Sequence, residues 1–121
     1  MRFIPTKVHG FLDYAVAVLL IAAPFLFGFA DGGIAQWLPI LLGLAVVAYS
    51  LLTDYEWGIV RKISMPVHLL LDGAGGVLLA ASPWLFGFSD EVYLPHLVLG
   101  LFDIVASLTT KKAAPATSSV R

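Results

Sequence analysis

Cysteine is absent from this 121-residue chain, which excludes disulfide bonds, thiolate metal sites and thiol redox chemistry. Charge is scarce, since charged residues make up 12% of the chain and the formal net charge is −1 at pH 7. Because phosphate binding needs a basic face, this charge argues against nucleic acid as a partner. The sequence also lacks a nucleophile–base pair, a lysine-bearing phosphate loop and an H-E-x-x-H zinc motif. An enzyme is therefore the weakest of the function classes.

Apolar residues fill most of the chain. Hydrophobic residues account for 60% of it and the mean hydropathy is +0.93, well above the roughly half-apolar composition of soluble domains. A soluble fold of this size buries only about two-thirds of its surface and could not hide so much apolar side chain from water. The composition predicts an integral membrane protein whose main partner is the lipid bilayer.

One unit is written twice along the chain. SPWLFGFSD at 82–90 is an imperfect copy of APFLFGFAD at 23–31, an offset of 59 residues. The same offset relates polar residues near the start of each unit: His9 to His68 and Asp13 to Asp72. An internal repeat of this kind predicts two structurally equivalent halves.

Four apolar runs fit membrane helices, which need about 20 residues each. Because lipid offers backbone groups no water to bond, we expect helices at 8–29, 37–53, 66–88 and 95–110. The first run is expected to be retained, since its repeat mate lies in mid-chain. The predicted organisation is an N-terminal segment (1–7), repeat 1 (8–53), a linker (54–65), repeat 2 (66–110) and a disordered tail (111–121). We predict an all-α membrane protein in which four transmembrane helices form two tandem parallel two-helix repeats around a pseudo-twofold axis.

The distribution of basic residues predicts the orientation. All seven lie in the N-terminal segment, the linker or the tail, whereas the two hairpin turns carry only acidic charges: Asp31, Asp90 and Glu91. The positive-inside rule then places both termini and the linker in the cytoplasm, with the chain crossing the inner membrane several times. Tyr55 and Trp57 are expected in the aromatic belt at the inner boundary.

Ionisable residues inside the apolar runs are the candidate site, because each costs roughly 2.5–3.5 kcal/mol at a helix centre. In each repeat a histidine and an aspartate are four residues apart and so share a helix face. Asp103 lies on the fourth run at a comparable depth. We expect all five residues to converge in one buried cluster: His9, Asp13, His68, Asp72 and Asp103. By contrast, His96 follows Pro95 at a helix start and is expected at the outer interface.

The repeated turn motif has a mechanical interpretation. Its prolines should bend the outer ends of the first and third helices, its glycines should end them, and its Phe rings should fill the space. The motif residues are Pro24 and Gly28 in the first copy, and Ser82, Pro83, Trp84 and Gly87 in the second.

The sequence SPWLFGF, following a helix with HxxxD in a doubled two-helix unit, resembles the SPW repeat family of small bacterial and archaeal membrane proteins. The resemblance covers Val8 to Thr110, although the first copy has Ala-Pro-Phe in place of Ser-Pro-Trp. It implies a membrane location and two-helix repeats, and it supplies no activity.

Three functions remain open. The first, which we favour, is a structural or accessory bundle in which the His and Asp residues form a polar clasp, alone or within a homo-oligomer or larger membrane complex. The second is a bundle that handles protons, a divalent metal or a haem, with His9 and His68 as the candidate metal ligands. The third is a small transporter or channel subunit that acts as an oligomer.

The orientation can be tested directly because the chain has no cysteine of its own. We expect Ser89→Cys to react with a membrane-impermeant thiol reagent from outside the cell, and Ala114→Cys to react only after permeabilisation. Labelling in the opposite pattern would show that the basic residues do not set the topology.

Overall fold

The computed structural model describes residues 2–113. Four helices follow one another in this part of the chain: α1 (Thr6–Leu26), α2 (Ile34–Leu51), α3 (Met65–Leu85) and α4 (Leu94–Thr109). The only β-type pairing among these residues is two isolated bridges, so the all-α prediction is confirmed. Most of the predicted disordered tail, at 114–121, lies outside the described residues.

Three of the helices have the length and composition of membrane spans. The mean hydropathies of the spanning windows are 1.7 for α1, 1.8 for α2 and 1.4 for α3, while α4 is a shorter apolar helix of 16 residues. The outer surface is apolar, as shown by the exposed side chains of Leu70 and Val18. Exposure of such an apolar surface to water is unfavourable, whereas contact with lipid acyl chains is not. The chain is a multi-pass membrane protein.

The helices pack as two hairpins. The main contacts of α1 are with α2, and those of α3 are with α4. Glycines let the backbones approach closely: a Cβ added at Gly43 would lie 2.8 Å from the carbonyl oxygen of Ala17. The second hairpin is equally tight, since a Cβ at Gly76 would lie 2.8 Å from the carbonyl oxygen of Gly100. Small residues at a contact are the usual basis of close packing between membrane helices.

Both α1 and α3 end three residues before the predicted ends at 29 and 88. The reason is the glycine after each helix, because Gly28 and Gly87 both adopt φ = 75°, a left-handed conformation that favours glycine. The chain then folds back, so that the Phe29 N–H donates to the carbonyl oxygen of Pro24 at 2.9 Å. The Phe88 N–H donates to Pro83 in the same way, at 2.7 Å.

The side chains of the turn motif divide between core and surface. The prolines are fully buried, and the last Phe of each copy, Phe29 or Phe88, is buried in one apolar cluster. In contrast, Phe25, Phe27 and Phe86 are exposed, so our expectation that the Phe rings fill the core is wrong for these three. Phe25 lies in the last turn of α1, and Phe27 and Phe86 are the first residues after their helices.

Two other motif residues have separate roles. Ser82 is fully buried, and its hydroxyl donates to the carbonyl oxygen of Leu79 at 2.7 Å. Trp84 is exposed, and its ring centroid lies 5.8 Å from that of Tyr93. An exposed Trp–Tyr pair at this end of the helices is typical of an aromatic belt at a membrane boundary.

At the opposite end of the helices, which contains residues 54–65 and which we call the linker end, the two repeats are joined by backbone hydrogen bonds. The Ile4 N–H donates to the carbonyl oxygen of Thr109 at 2.9 Å, tying the start of repeat 1 to the end of repeat 2. The equivalent bond joins the Ile63 N–H to the carbonyl oxygen of Leu52 at 2.8 Å. The same bond thus recurs at corresponding positions of the two repeats.

The linker does not stay outside the bundle. Tyr55 is completely buried in a core cluster with Met65 and Leu69, so placing it in the aromatic belt was wrong. Trp57 lies across α1, where its indole N–H donates to the carbonyl oxygen of Lys7 at 2.8 Å. The linker therefore seals the linker end of the helices and brings a phenol into the interior.

Candidate functional site

Two histidines and two aspartates meet inside the bundle near the linker end. His9 and Asp13 lie in the first turns of α1, and His68 and Asp72 lie at the equivalent positions of α3. All four are buried, with exposed fractions of 2%, 6%, 0% and 6% respectively. We call these four residues the His–Asp cluster.

Each imidazole of the His–Asp cluster contacts both carboxylates through its Nε2 atom. His9 Nε2 lies 2.6 Å from Asp72 Oδ2 and 3.0 Å from Asp13 Oδ1. His68 Nε2 lies 2.9 Å from Asp13 Oδ2 and 3.2 Å from Asp72 Oδ2. The residues therefore alternate in charge type around a small ring that joins the two repeats.

A threonine from the opposite repeat holds the other nitrogen of each histidine. His9 Nδ1 lies 2.7 Å from Thr110 Oγ1, and His68 Nδ1 lies 2.7 Å from Thr53 Oγ1. Each threonine hydroxyl also lies 2.6 Å from the carbonyl oxygen four residues before it. A carbonyl oxygen cannot donate, so the single hydroxyl proton goes to it, and the hydroxyl accepts a hydrogen bond from the histidine. Both histidines therefore carry a proton on Nδ1.

Two tyrosines bind the carboxylates. The Tyr55 hydroxyl donates to Asp13 Oδ2 at 2.7 Å, and the Tyr49 hydroxyl donates to Asp72 Oδ1. Burial raises the pKa of the Tyr55 phenol above its ordinary value, and the nearby charge of Asp13 raises it further. The phenol thus stays protonated and acts as a hydrogen-bond donor to Asp13.

The Nε2 atom of His68 has no hydrogen-bond partner among the described residues, although two carboxylate oxygens lie within 3.2 Å of it. The directions of these two contacts do not suit an N–H donor. Since Nδ1 of His68 already carries a proton, the free electron pair of a neutral ring would point from Nε2 into the cluster. A lone pair facing two carboxylates is repulsive unless a proton or a metal ion lies between them.

The donor set suits a divalent metal ion. One ligand atom from each of the four residues can be chosen so that all lie within 4.8 Å of one another. A tetrahedral ion with bonds of about 2.0–2.1 Å needs ligand atoms about 3.3 Å apart. The contacts between histidine and aspartate are shorter, at 2.6–3.2 Å, so the ligands would move apart to admit the ion. Two carboxylates balance the charge of a divalent cation. Hydrogen bonds from the ligands to an outer layer of partners are typical of metal sites.

Haem fits this site poorly. The imidazole rings of His9 and His68 lie edge to face with their centroids 5.5 Å apart. Both Nε2 atoms contact the same two carboxylates, so these carboxylates occupy the space that a porphyrin would need.

Asp103 and His96 lie outside the His–Asp cluster. Asp103 is half-buried on α4 and makes no hydrogen bond or ion pair within residues 2–113. His96 is 1% exposed, which overturns its expected place at the interface. Its ring lies between those of Phe29 and Phe88, and its Nε2 donates to the carbonyl oxygen of Ala35 at 2.9 Å. Deep burial follows because the shortened helices fold these two Phe rings over it.

The candidate site predicted from the sequence did not include the residues that orient the cluster: Tyr49, Thr53, Tyr55 and Thr110. The threonines carried a usable signal, because Thr53 and Thr110 occupy equivalent positions in the two repeats. Tyr49 and Tyr55 have no tyrosine at their equivalent positions, and their role depends on how the linker folds.

In a comparison with protein families, the model described as SPW repeat domain matches residues 7–110. Comparison with curated proteins and with solved structures gives no match. The family match covers both helix pairs and all four residues of the His–Asp cluster.

Adjacent threonines at the end of α4 provide a matched test of the orienting hydrogen bonds. We expect Thr110→Val to lower the free energy of unfolding by about 1–3 kcal/mol, because it leaves the buried Nδ1–H of His9 without an acceptor. Thr109→Val should change it by less than about 0.5 kcal/mol, since that hydroxyl is exposed and donates only to Val105. Denaturant titration in mild detergent measures both values, and equal losses would show that the bond to His9 contributes nothing.

Proposed function

The chain belongs to the SPW repeat domain family, and we propose that it acts as a small membrane protein that binds one divalent metal ion in its His–Asp cluster. The observation that carries this proposal is the Nε2 atom of His68, which is buried, lacks a hydrogen bond and faces two carboxylates. Two imidazoles and two carboxylates favour a borderline first-row ion, and Zn²⁺ fits a four-ligand site best.

The proposed site holds its ion rather than using it for catalysis. A catalytic zinc site keeps one position open for water or substrate, whereas four protein ligands close the coordination sphere. The ligands come from α1 and α3, which belong to different repeats. A bound ion would therefore tie the two repeats together across the predicted pseudo-twofold axis, and the recurring backbone and threonine contacts at the linker end support that axis.

The membrane position of the site follows from the predicted orientation. We propose that the protein lies in the inner membrane with both termini and the linker in the cytoplasm, because the basic residues lie in those segments. The cluster lies in the first turns of α1 and α3, so the ion would lie within the bundle near its cytoplasmic side.

The second candidate is a polar clasp that holds the repeats together without a metal. His9 Nε2 favours it, because its 2.6 Å contact with Asp72 Oδ2 has hydrogen-bond geometry. In that state the ring nitrogens supply the positive charge that balances the carboxylates. The two candidates differ in whether the purified protein contains a stoichiometric metal ion.

Paired aspartate variants test the metal. Wild-type protein purified in mild detergent should contain about one divalent ion per chain by elemental analysis. Asp72→Asn should lower the affinity for Zn²⁺ at least about 100-fold, because it removes both a ligand and its charge. Loss of a residue that only hydrogen-bonds to a ligand lowers the affinity about 10–100-fold. Asp103→Asn is the control, since this aspartate lies on α4, is not one of the four candidate ligands and makes no hydrogen bond or ion pair with them among the described residues.

The outcome separates the two candidates. Retention of zinc by Asp103→Asn and its loss from a folded Asp72→Asn protein would support the metal site. A metal-free wild type that does not bind added Zn²⁺ would leave the clasp as the function of the cluster. For that case, His9→Leu combined with Asp13→Leu should leave a folded protein, since both members of the pair are removed together.

A further inference from the structure

A groove of about 530 Å³ runs along the outside of α3 and α4, separate from the His–Asp cluster. Its walls are apolar side chains, including Leu70 and Ile104, and two small residues, Gly73 and Ala74, lie along α3. Because these two positions lack large side chains, the groove is open along them, while the surrounding surface carries bulky apolar residues.

The groove has the length of one lipid leaflet. On α3 it extends from Pro66 to Val77, which is about 16 Å at 1.5 Å per residue. Half of a hydrocarbon core of about 30 Å is 15 Å. A groove that starts at the linker end therefore reaches about the middle of the membrane, which is the depth of one acyl chain.

Two cations lie at the linker end of this groove, and no acidic residue lines it within residues 2–113. The guanidinium of Arg2 is held in place because its Nη1 donates to the carbonyl oxygens of Ser107 and Thr110, each at 2.8 Å. The other N–H groups of Arg2 make no hydrogen bond within the described residues and can reach a further acceptor. Lys112 is exposed just beyond the end of α4.

We propose that this groove binds one anionic phospholipid, with its phosphate at Arg2 and Lys112 and an acyl chain along Gly73 and Ala74. The fixed guanidinium gives the site a charge preference, because a lipid with a net negative headgroup keeps its full attraction to both cations. A zwitterionic lipid has a compensating positive group and gains less. The proposal is independent of the metal site, because no ligand of the proposed metal lines the groove.

Native mass spectrometry of the detergent-released full chain tests the proposal, with phosphatidylglycerol and phosphatidylcholine of identical acyl chains as probes. We expect phosphatidylglycerol to stay bound at a higher fraction. Arg2→Gln with Lys112→Gln should lower its affinity about tenfold or more, since each surface cation contributes about fivefold. Lys7→Gln with Lys62→Gln removes the same charge outside the groove and should have a smaller effect.

A second pair of variants tests the apolar part of the groove without changing a charged residue. Ala74→Leu fills the groove and should release bound lipid. Ala45→Leu adds the same side chain to an exposed position of α2 outside the groove and should leave the lipid bound. Equal retention of the two lipids, or equal behaviour of the two leucine variants, would overturn the proposal. A dimer that Ala74→Leu dissociates would assign the groove to a second copy of the chain and would overturn it as well.

Discussion

The neutralisation of buried charge inside the bundle is the constraint on which the rest of this structure depends. A carboxylate in a membrane-spanning segment has little water to solvate it, so its charge must be balanced by protein groups or by a bound cation. Asp13 and Asp72 meet this requirement together, because each contacts both histidines and accepts a tyrosine hydroxyl. Neither repeat alone can provide this set of partners, so the cluster requires both helix pairs to be in contact.

The contacts at the linker end show how two repeats become one bundle. The threonine that orients His9 lies just beyond the end of α4, and the threonine that orients His68 lies just beyond the end of α2. The backbone bonds of Ile4 and Ile63 cross between the repeats in the same way. In a duplicated sequence, a hydrogen bond that one repeat makes to the other can also form in the opposite direction. Each contact between the repeats is therefore made twice. The tyrosines depart from this symmetry, because the linker that brings Tyr55 inside occurs once.

Sequence reasoning could predict the helices and the four cluster residues because both leave regular patterns. Long apolar runs predict membrane helices, and His-x-x-x-Asp repeated at a fixed offset puts four ionisable groups at one depth. The partners of the cluster could not be predicted, since Tyr55 depends on the path of an irregular linker and Tyr49 on the rotation of α2. His96 was misplaced because a polar residue at a helix start has no pattern that distinguishes an interface from a pocket between Phe rings.

The measurement that tests the central claim most directly is X-ray absorption at the zinc edge of the protein loaded with one equivalent of Zn²⁺. The account predicts four nitrogen or oxygen ligands at about 2.0–2.1 Å, together with the outer scattering of two imidazole rings. Bound zinc without imidazole scattering, or with six oxygen ligands, would contradict the assignment of His9 and His68 as ligands.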